Sequence, residues 1–431
     1  RDALAEDPLP LGRAHLLAST AIREARRAAL AVDAIVSVGD LRRFEPVVGS
    51  VELLGIAPAS EHAAILKAFT RLPVAFASRP ISERSVMIRT ERGTVTLHLT
   101  PPEQAGAALV WHTGSTLHVA ALRDRANARG LRLFDARLTD RQERAVPCPS
   151  EDNLYDRLEL PFIPPELRLG GNEIEAADDN ALPALVLERH IRGDLHTHTT
   201  WSDGRDSTET MVLAAKQLAY EYVAITDHSQ RAWSSRKLAL DDVPRQREEI
   251  QALRGKITGI DILHGIEVDI MSDGTLDFED DVLAGFDIVL ASLHDPSNHM
   301  GPQLTRRYLK AIRHPLVNVI THPANRSPAR SEGFDIDFNA LFAAAAETGT
   351  AMEIDGAPGH LDMDGAVARR AAAAGVTIAI DSDCHRAEWL ARQMRFGVGT
   401  ARRGWIEPRH VLNAASVDDV RAFVARKRSR G

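Results

Sequence analysis

Residues 191–431 alternate short apolar runs with longer amphipathic stretches. The apolar runs end in polar residues, as in EYVAITDH, DILHGIEVDI, FDIVLASLH, LVNVITHP, TAMEID and TIAIDSDCH. Runs of this length predict buried strands, and the stretches between them predict helices, for example over residues 208–219. Asp206 and Glu209 have the spacing of a capping box at the start of that helix. Alternating strands and helices indicate parallel βα units, and about seven or eight units in roughly 240 residues predict a barrel.

Residue types that bind metals follow almost every predicted strand. The carboxyl ends of barrel strands meet at one rim, so these side chains are expected to converge there. A single histidine after a strand is usually an ordinary hydrogen-bonded residue, but six histidines and three carboxylates on one rim need cations as partners. Imidazole with carboxylate suits zinc, manganese or iron, and nine ligands predict two or three ions. The nine are His196, His198, Asp203, His228, Glu267, His294, His322, Asp383 and His385.

Charge is unevenly spread along the 431 residues. The net charge is −8, yet residues 1–150 hold 20 Lys and Arg against 16 Asp and Glu, which leaves the remainder strongly acidic. An acidic half could hold cations and a mildly basic half could contact phosphates, although random surface drift explains the basic half equally well. Residues 145–190 are irregular and rich in proline and acidic residues, which predicts a domain end followed by a linker.

The sequence indicates neither a membrane segment nor a disulfide framework. It contains no run of eighteen apolar residues and no signal-peptide pattern. Its two cysteines, Cys148 and Cys384, fit a reducing compartment, so we predict a cytoplasmic protein without a membrane partner. The chain begins at Arg1 rather than Met, so we expect a trimmed N-terminus.

The motifs of residues 191–431 occur in a specific order: HTH, SDG, TDHS, GIEVDI, SLH, THP and SDCH. As a set they resemble the PHP (polymerase and histidinol phosphatase) family. This resemblance implies a distorted (β/α)7 barrel that holds three divalent ions, Mn, Zn or Fe, and hydrolyses phosphoesters. It assigns His196, His198, Glu267 and Asp383 to the first ion and makes Glu267 the bridge to a second. It gives that second ion His294 and His322, and the third Asp203, His228 and His385.

The implied chemistry needs no protein nucleophile. Clustered ions lower the pKa of a shared water and clamp the phosphate oxygens. The predicted catalytic residues are Glu267, Asp383 and Arg326. Arg326, in THPANR, could donate to a non-bridging phosphate oxygen, while an ordinary surface arginine is an equally consistent interpretation.

The first half contains GDLRRFEPVVGSVELLGIA, GTVTLHLT and AALVWHTGSTLHVAALRDRANARGLRLFDARL, in that order. These segments resemble the palm and thumb of family X DNA polymerases. LELPFIPPELRLGGNEIEAA then resembles the junction in bacterial and archaeal members that end in a PHP domain. The expected organisation is an α+β palm-like remnant over residues 1–100, a thumb-like region and linker over 101–190, and the PHP domain over 191–431.

The palm-like segment departs from the family at its chemical positions. Ser50, Glu52 and Thr96 stand where the family has three metal-binding aspartates. Asp40 replaces the serine of the Gly-Ser pair that binds the triphosphate, and its charge would repel that ligand. We therefore predict that this palm does not polymerise. GTVTLHLT is interpreted as an ordinary alternating strand.

Three functions remain open at this stage. The first is a metal-dependent phosphoesterase acting on DNA 3′ ends in repair, as a 3′–5′ exonuclease or a 3′-phosphodiesterase or phosphatase. The second is a phosphatase for a small phosphomonoester, which Asp355 and His360 favour because the family usually has Asn and Arg there. The third is a non-catalytic DNA-binding scaffold. If DNA is the partner, Arg42, Arg43 and Arg123 are the predicted phosphate contacts.

Overall fold

The computed structural model describes residues 7–232 and 234–429, and the chain divides into two compact units between Leu182 and Pro183. Within those residues, no helix combines the length and the apolar character that crossing a membrane requires. The predicted domain ranges of 1–100, 101–190 and 191–431 stay predictions in their detail.

The first unit combines a mixed β-sheet with surrounding helices. Its elements are β1 (Leu9–Pro10), α1 (Leu11–Arg27), β2 (Ala34–Ser37), α2 (Gly39–Arg42), β3 (Val47–Val48), β4 (Val51–Ile56), α3 (His62–Phe69), β5 (Ala77–Ser82), β6 (Ser85–Thr90), β7 (Gly93–Thr100), α4 (Ala105–Thr113), α5 (Thr116–Ala128), β8 (Leu131–Phe134), β9 (Arg137–Asp140), α6 (Glu151–Arg157) and α7 (Glu173–Asp178). The main sheet has the order β2-β4-β7-β6-β5, in which only β4 and β7 are parallel. GTVTLHLT forms β7, as its alternation predicted.

The second unit is a nearly closed barrel of seven parallel strands, which confirms the predicted (β/α)7 architecture. Its strands follow chain order around the sheet. Its elements are β10 (Gly193–Asp194), α8 (Thr208–Gln217), β11 (Tyr222–Ile225), α9 (Val243–Lys256), β12 (Asp261–Asp269), α10 (Asp280–Leu283), β13 (Ile288–Ser292), α11 (Gly301–Arg313), β14 (Val319–Ile320), α12 (Phe338–Thr348), β15 (Ala351–Asp355), α13 (Gly365–Ala373), β16 (Ile378–Asp381), α14 (Leu390–Arg403) and α15 (Val417–Arg428).

The first and last strands approach each other just beyond their carboxyl ends. Thr197 and Cys384 form a parallel bridge there, in which the backbone amide of His198 donates to the carbonyl of Cys384 at 2.9 Å. The amide of Leu195 also donates to Oδ1 of Asp381 at 2.9 Å. These bonds position the HTH segment beside the SDCH segment.

Side-chain parity explains why the barrel carries its polar residues at one end. Successive side chains of a strand point to opposite faces, so residues two apart share a face. On β12, Leu263 belongs to the small apolar cluster inside the barrel, and Gly265, Glu267 and Asp269 continue the same face toward the carboxyl end. Residues of the other parity, such as Ile266, pack in the large cluster that contains the helices' buried side chains.

The helix predicted from residue 208 begins at Thr208, but its predicted cap is wrong. Ser207, rather than Asp206, caps α8: its hydroxyl accepts a hydrogen bond from the amide of Thr210 at 3.2 Å. The Asp206 carboxylate instead accepts from the amide of Ala387 at 2.8 Å, in a segment 181 residues away. The capping-box spacing of Asp206 and Glu209 was therefore shifted by one residue from the true cap.

Candidate metal centre

The nine predicted ligands lie together beyond the carboxyl ends of the barrel strands. Eight of them form three sets, in each of which one ligand atom per residue lies within 4.8 Å of the others. The sets are His198 with Asp203, His228 and His385; His196 with His198 and Asp383; and His228 with Glu267 and His294. His198 and His228 each belong to two sets, whereas the resemblance assigned each to one ion. The assignment of ligands to individual ions stays a prediction.

Glu267 contacts five of the predicted histidine ligands of the centre. Its side chain is fully buried, and its two carboxylate oxygens face different imidazoles. Oε2 lies 2.7 Å from Nδ1 of His228, 3.3 Å from Nε2 of His196 and 3.5 Å from Nε2 of His198. Oε1 lies 3.1 Å from Nε2 of His322 and 3.5 Å from Nε2 of His294. This arrangement suits a carboxylate that bridges two ions.

The other two predicted carboxylate ligands, Asp383 and Asp203, also contact imidazoles of the centre. Oδ1 of Asp383 lies 3.0 Å from Nε2 of His198 and 3.6 Å from Nε2 of His196. Oδ1 of Asp203 lies 3.1 Å from Nε2 of His385 and 3.6 Å from Nε2 of His228. Asp383 has φ of 46°, in the left-handed region, so the local backbone is strained at a ligand position.

The electrostatics of these residues fit the binding of cations. Burial raises the pKa of Glu267, but the imidazoles of His228 and His196 outweigh it and hold that pKa well below its usual range. Burial, together with the neighbouring His385, lowers the pKa of His198 to about 3, so its imidazole is neutral near pH 7. Metal ligands must be deprotonated, as the pKa shifts of these two groups favour. Against the effect of burial, the neighbouring carboxylates instead raise the pKa of His196, His294, His322 and His385, so these imidazoles would release protons when cations bind.

Two buried carboxylate oxygens of the centre contact imidazole nitrogens but receive no hydrogen bond of regular geometry. Within the described part of the chain, Glu267 Oε2 and Asp203 Oδ1 are shielded from solvent and accept no hydrogen bond. Buried polar atoms are normally satisfied, and each unsatisfied one costs roughly 1–3 kcal/mol. A divalent cation would satisfy both oxygens, so the residues present fit the ions that the donor set implies.

Supporting carboxylates orient the ligands, and the sequence reasoning missed them. Oε1 of Glu353 lies 2.7 Å from Nδ1 of His196, and its Oε2 accepts the amide of His322 at 2.8 Å. Asp269 contacts Nδ1 of His294 at 3.1 Å. Carboxylates that hold the second ring nitrogen of a ligating histidine fix its orientation. The available signal was a charged residue inside an apolar strand, as in TAMEID.

Asp355 and His360 lie beside the centre, where the family pattern placed them. Together with Asp383 they form a further set whose ligand atoms lie within 4.8 Å of one another. The His360 ring stacks on His322, with centroids 5.3 Å apart. Burial, followed by the nearby Asp383 carboxylate, holds the pKa of Asp355 well above its usual range.

The third predicted catalytic residue, Arg326, is buried. Its Nη1 lies 3.2 Å from Oδ2 of Asp364, and its Nε has no hydrogen-bond partner among the described residues. The interpretation as an ordinary surface arginine is therefore wrong. Its contact with a phosphate oxygen stays a prediction.

The first unit engages two of the three predicted DNA-contacting arginines internally. Arg42 makes a bidentate pair with Glu151, at 2.9 and 2.6 Å. Arg43 is buried and contacts Oδ1 of Asp40 at 2.5 Å. Arg123 is exposed on α5. Asp40 also accepts the amide of Gly49 at 2.9 Å, so its charge is partly balanced rather than directed only at a ligand.

The palm positions contain one carboxylate. Glu52 on β4 lies opposite Thr96 on β7 in the parallel register, and Ser50 donates to Oε1 of Glu52 at 2.9 Å. Neither Ser50 nor Thr96 supplies a second charged oxygen for a magnesium pair.

Comparison with known proteins places these units in a family. Residues 108–169 match the DNA polymerase beta thumb, and residues 194–327 match the PHP domain. The chain is similar to the DNA polymerase/3′-5′ exonuclease PolX of Bacillus subtilis, with 39% identity over 344 residues, which cover 79% of this chain and 60% of that protein. It thus spans about three fifths of that relative's length.

Smaller relatives match the second unit. A probable phosphatase of Shewanella oneidensis is 35% identical over 204 residues, which cover 44% of this chain and 75% of that protein. A probable phosphatase of Thermoanaerobacter sp. is 32% identical over 204 residues, covering 44% of this chain and 78% of that protein.

Proposed function

Because this chain belongs to the family X DNA polymerases that carry a C-terminal PHP domain, we propose that it is a metal-dependent phosphoesterase acting on DNA 3′ ends. The proposed activity is that of a 3′–5′ exonuclease, or of a 3′-phosphodiesterase or phosphatase, in DNA repair. The centre of the second unit carries this activity with three divalent ions, Mn, Zn or Fe. The palm of the first unit does not polymerise.

One observation carries the proposal: the fully buried Glu267 carboxylate faces five imidazoles, and its Oε2 accepts no hydrogen bond within the described chain. A buried charge in such surroundings calls for cations. Ions bound here would supply Lewis-acid stabilisation of phosphate oxygens and an activated water near neutral pH.

The chain's own residues have distinct parts in this proposal. Glu267 and Asp383 hold and space the ions. Glu353 fixes the His196 ring, so that its Nε2 points toward Glu267 and Asp383. Arg326 donates to a non-bridging phosphate oxygen, and its guanidinium is held beside the Asp364 carboxylate at 3.2 Å. The neutral imidazole of His198 leaves a lone pair for an ion.

DNA is favoured as substrate by the match of residues 108–169 to the polymerase beta thumb and by the similarity to the Bacillus subtilis DNA polymerase/3′-5′ exonuclease. A small phosphomonoester is the second candidate. Asp355 and His360 favour it, because the family usually has an arginine at position 360, whereas burial lowers the pKa of the His360 imidazole to about 4 and leaves no positive charge there to attract a polyanionic strand. The similarity to probable phosphatases supports the same alternative. A scaffold without catalysis is disfavoured by the number of ligands that converge.

The test is hydrolysis by the purified chain with Mn²⁺ of three substrates in parallel: single-stranded DNA with a 3′ hydroxyl, DNA with a 3′ phosphate, and p-nitrophenyl phosphate. We expect chelator-sensitive turnover, faster on a DNA end than on the small ester. Turnover confined to the small ester would replace the DNA proposal with the second candidate. No chelator-sensitive turnover on any of the three would refute the phosphoesterase itself.

A further inference from the structure

Three potential metal ligands converge on one face of the first unit's sheet, far along the chain from the barrel ligands. Glu52 comes from β4, His98 from β7 and His112 from α4, which packs on β4. One ligand atom of each lies within 4.8 Å of the others. We propose that Glu52, His98 and His112 form a second, separate site for one transition-metal ion of the zinc type.

His98 is held with one ring nitrogen ready to bind. Its Nδ1 is 2.8 Å from the hydroxyl of Ser85 on the adjacent strand β6. Its Nε2 is shielded from solvent and has no hydrogen-bond partner among the described residues. A histidine whose far nitrogen is fixed by a partner is the usual arrangement at metal sites, because the partner sets the ring orientation.

Glu52 also has one ligand atom held by a neighbouring side chain and the other directed toward the proposed site. Its Oε1 accepts the hydroxyl of Ser50 at 2.9 Å, and its Oε2 lies 3.8 Å from Nε2 of His98. That separation is too long for a hydrogen bond. Two ligand atoms each about 2 Å from a tetrahedral zinc ion lie roughly 3.3 Å apart, so a small contraction would bring both into contact with one ion.

The imidazole pair reproduces the geometry of the barrel centre. The rings of His98 and His112 stack with centroids 4.1 Å apart and planes inclined by 24°. His198 and His385, which belong to one ligand set in the second unit, stack at 4.2 Å and 24°. Stacking of two imidazoles gains little by itself, whereas a shared cation accounts for their convergence on one carboxylate.

The donor set defines the class of ion. Two imidazoles and one carboxylate suit zinc and related ions, whereas magnesium prefers oxygen ligands alone. All three side chains are partly exposed, and three protein ligands leave a fourth position for water. An ion bound there would tie two strands and a helix together, so it would stabilise the first unit.

The experiment locates and counts zinc in the whole chain. The protein is loaded with Zn²⁺, dialysed to remove weakly held ions and crystallised, and anomalous differences are recorded at the zinc edge. The expected result is a peak among Glu52, His98 and His112. In parallel, the double variant His98→Gln/His112→Gln is expected to retain one zinc per chain fewer than the wild type.

A matched control separates ligand loss from general damage. Thr96→Ala changes a side chain on the same strand that offers no ligand of this type, and it is expected to retain the wild-type zinc content. Absence of the peak, a peak that requires millimolar zinc, or equal zinc in the double variant and the wild type would overturn the site. If the double variant does not fold, the wild-type anomalous map decides alone.

Discussion

Replacing Glu267 with alanine removes a carboxylate whose two oxygens contact five imidazoles of the barrel centre. Its side chain is fully buried and faces His196, His198, His228, His294 and His322. Asp203→Ala is the informative comparison, because Asp203 is also a predicted ligand but contacts only His228 and His385, and 19% of its side chain is exposed.

The different burial of Glu267 and Asp203 determines how much metal affinity each substitution should remove. Removing one partner from a fully buried charge cluster costs about 3–5 kcal/mol, which corresponds to roughly a hundredfold to several-thousandfold weaker metal retention. Water can replace part of a partly exposed partner, so losing Asp203 should cost about 1 kcal/mol, or roughly fivefold. Glu267→Ala should therefore weaken metal binding and hydrolysis at least tenfold more than Asp203→Ala.

The assay combines manganese titration with kcat/KM for p-nitrophenyl phosphate in both variants and the wild type. Thr96→Ala, in the other unit, is the matched control and should keep the wild-type values. If Asp203→Ala proved as damaging as Glu267→Ala, the bridging role assigned to Glu267 would be wrong. If Glu267→Ala kept full activity, the chemistry would have to lie outside this centre.

Three further outcomes are expected. Primer extension with Mg²⁺ or Mn²⁺ should not exceed a no-enzyme control, because Ser50 and Thr96 supply no carboxylate to the palm; extension above the control would contradict this. Metal analysis of the His98→Gln/His112→Gln chain should find about three ions, as nine ligands at three to four per ion imply, and one ion or fewer would contradict it. Glu353→Gln should weaken manganese binding roughly 10–100-fold by freeing the His196 ring, and unchanged binding would show that the contact is only structural.

The sequence was sufficient to predict the barrel and its rim because both follow from local patterns. Six of the seven barrel strands were marked by a short apolar run, and most ligands lie near the carboxyl end of such a run; the HTH segment instead follows the two-residue strand β10, which has no such run. In parallel βα units the strand ends share one edge, so local position along the chain translates directly into spatial proximity. Glu267 is the clearest example, since parity alone carries it from the apolar face of Leu263 to the polar end of β12.

The supporting contacts could not be predicted in this way because they join distant segments. Glu353 lies in the middle of β15, and its partner His196 is 157 residues earlier in the chain. Asp206 fits a local capping pattern, yet its partner, the amide of Ala387, is 181 residues away. When a residue such as Asp206 could make either a local contact or a distant one, the tertiary structure determines which contact forms.

Contacts between distant segments also determine which arginines of the first unit could contact a nucleic acid. Arg42 and Arg43 stand at family positions that suggest phosphate binding, but Arg42 makes a bidentate pair with Glu151 and Arg43 contacts Asp40. A phosphate would have to displace carboxylates from these partly buried pairs, and breaking a buried pair costs several kcal/mol. Arg123 requires no such displacement of a buried partner, because it is exposed on α5. If this unit guides a strand, exposed arginines of this kind are therefore better placed to provide the attraction than the pair next to the palm.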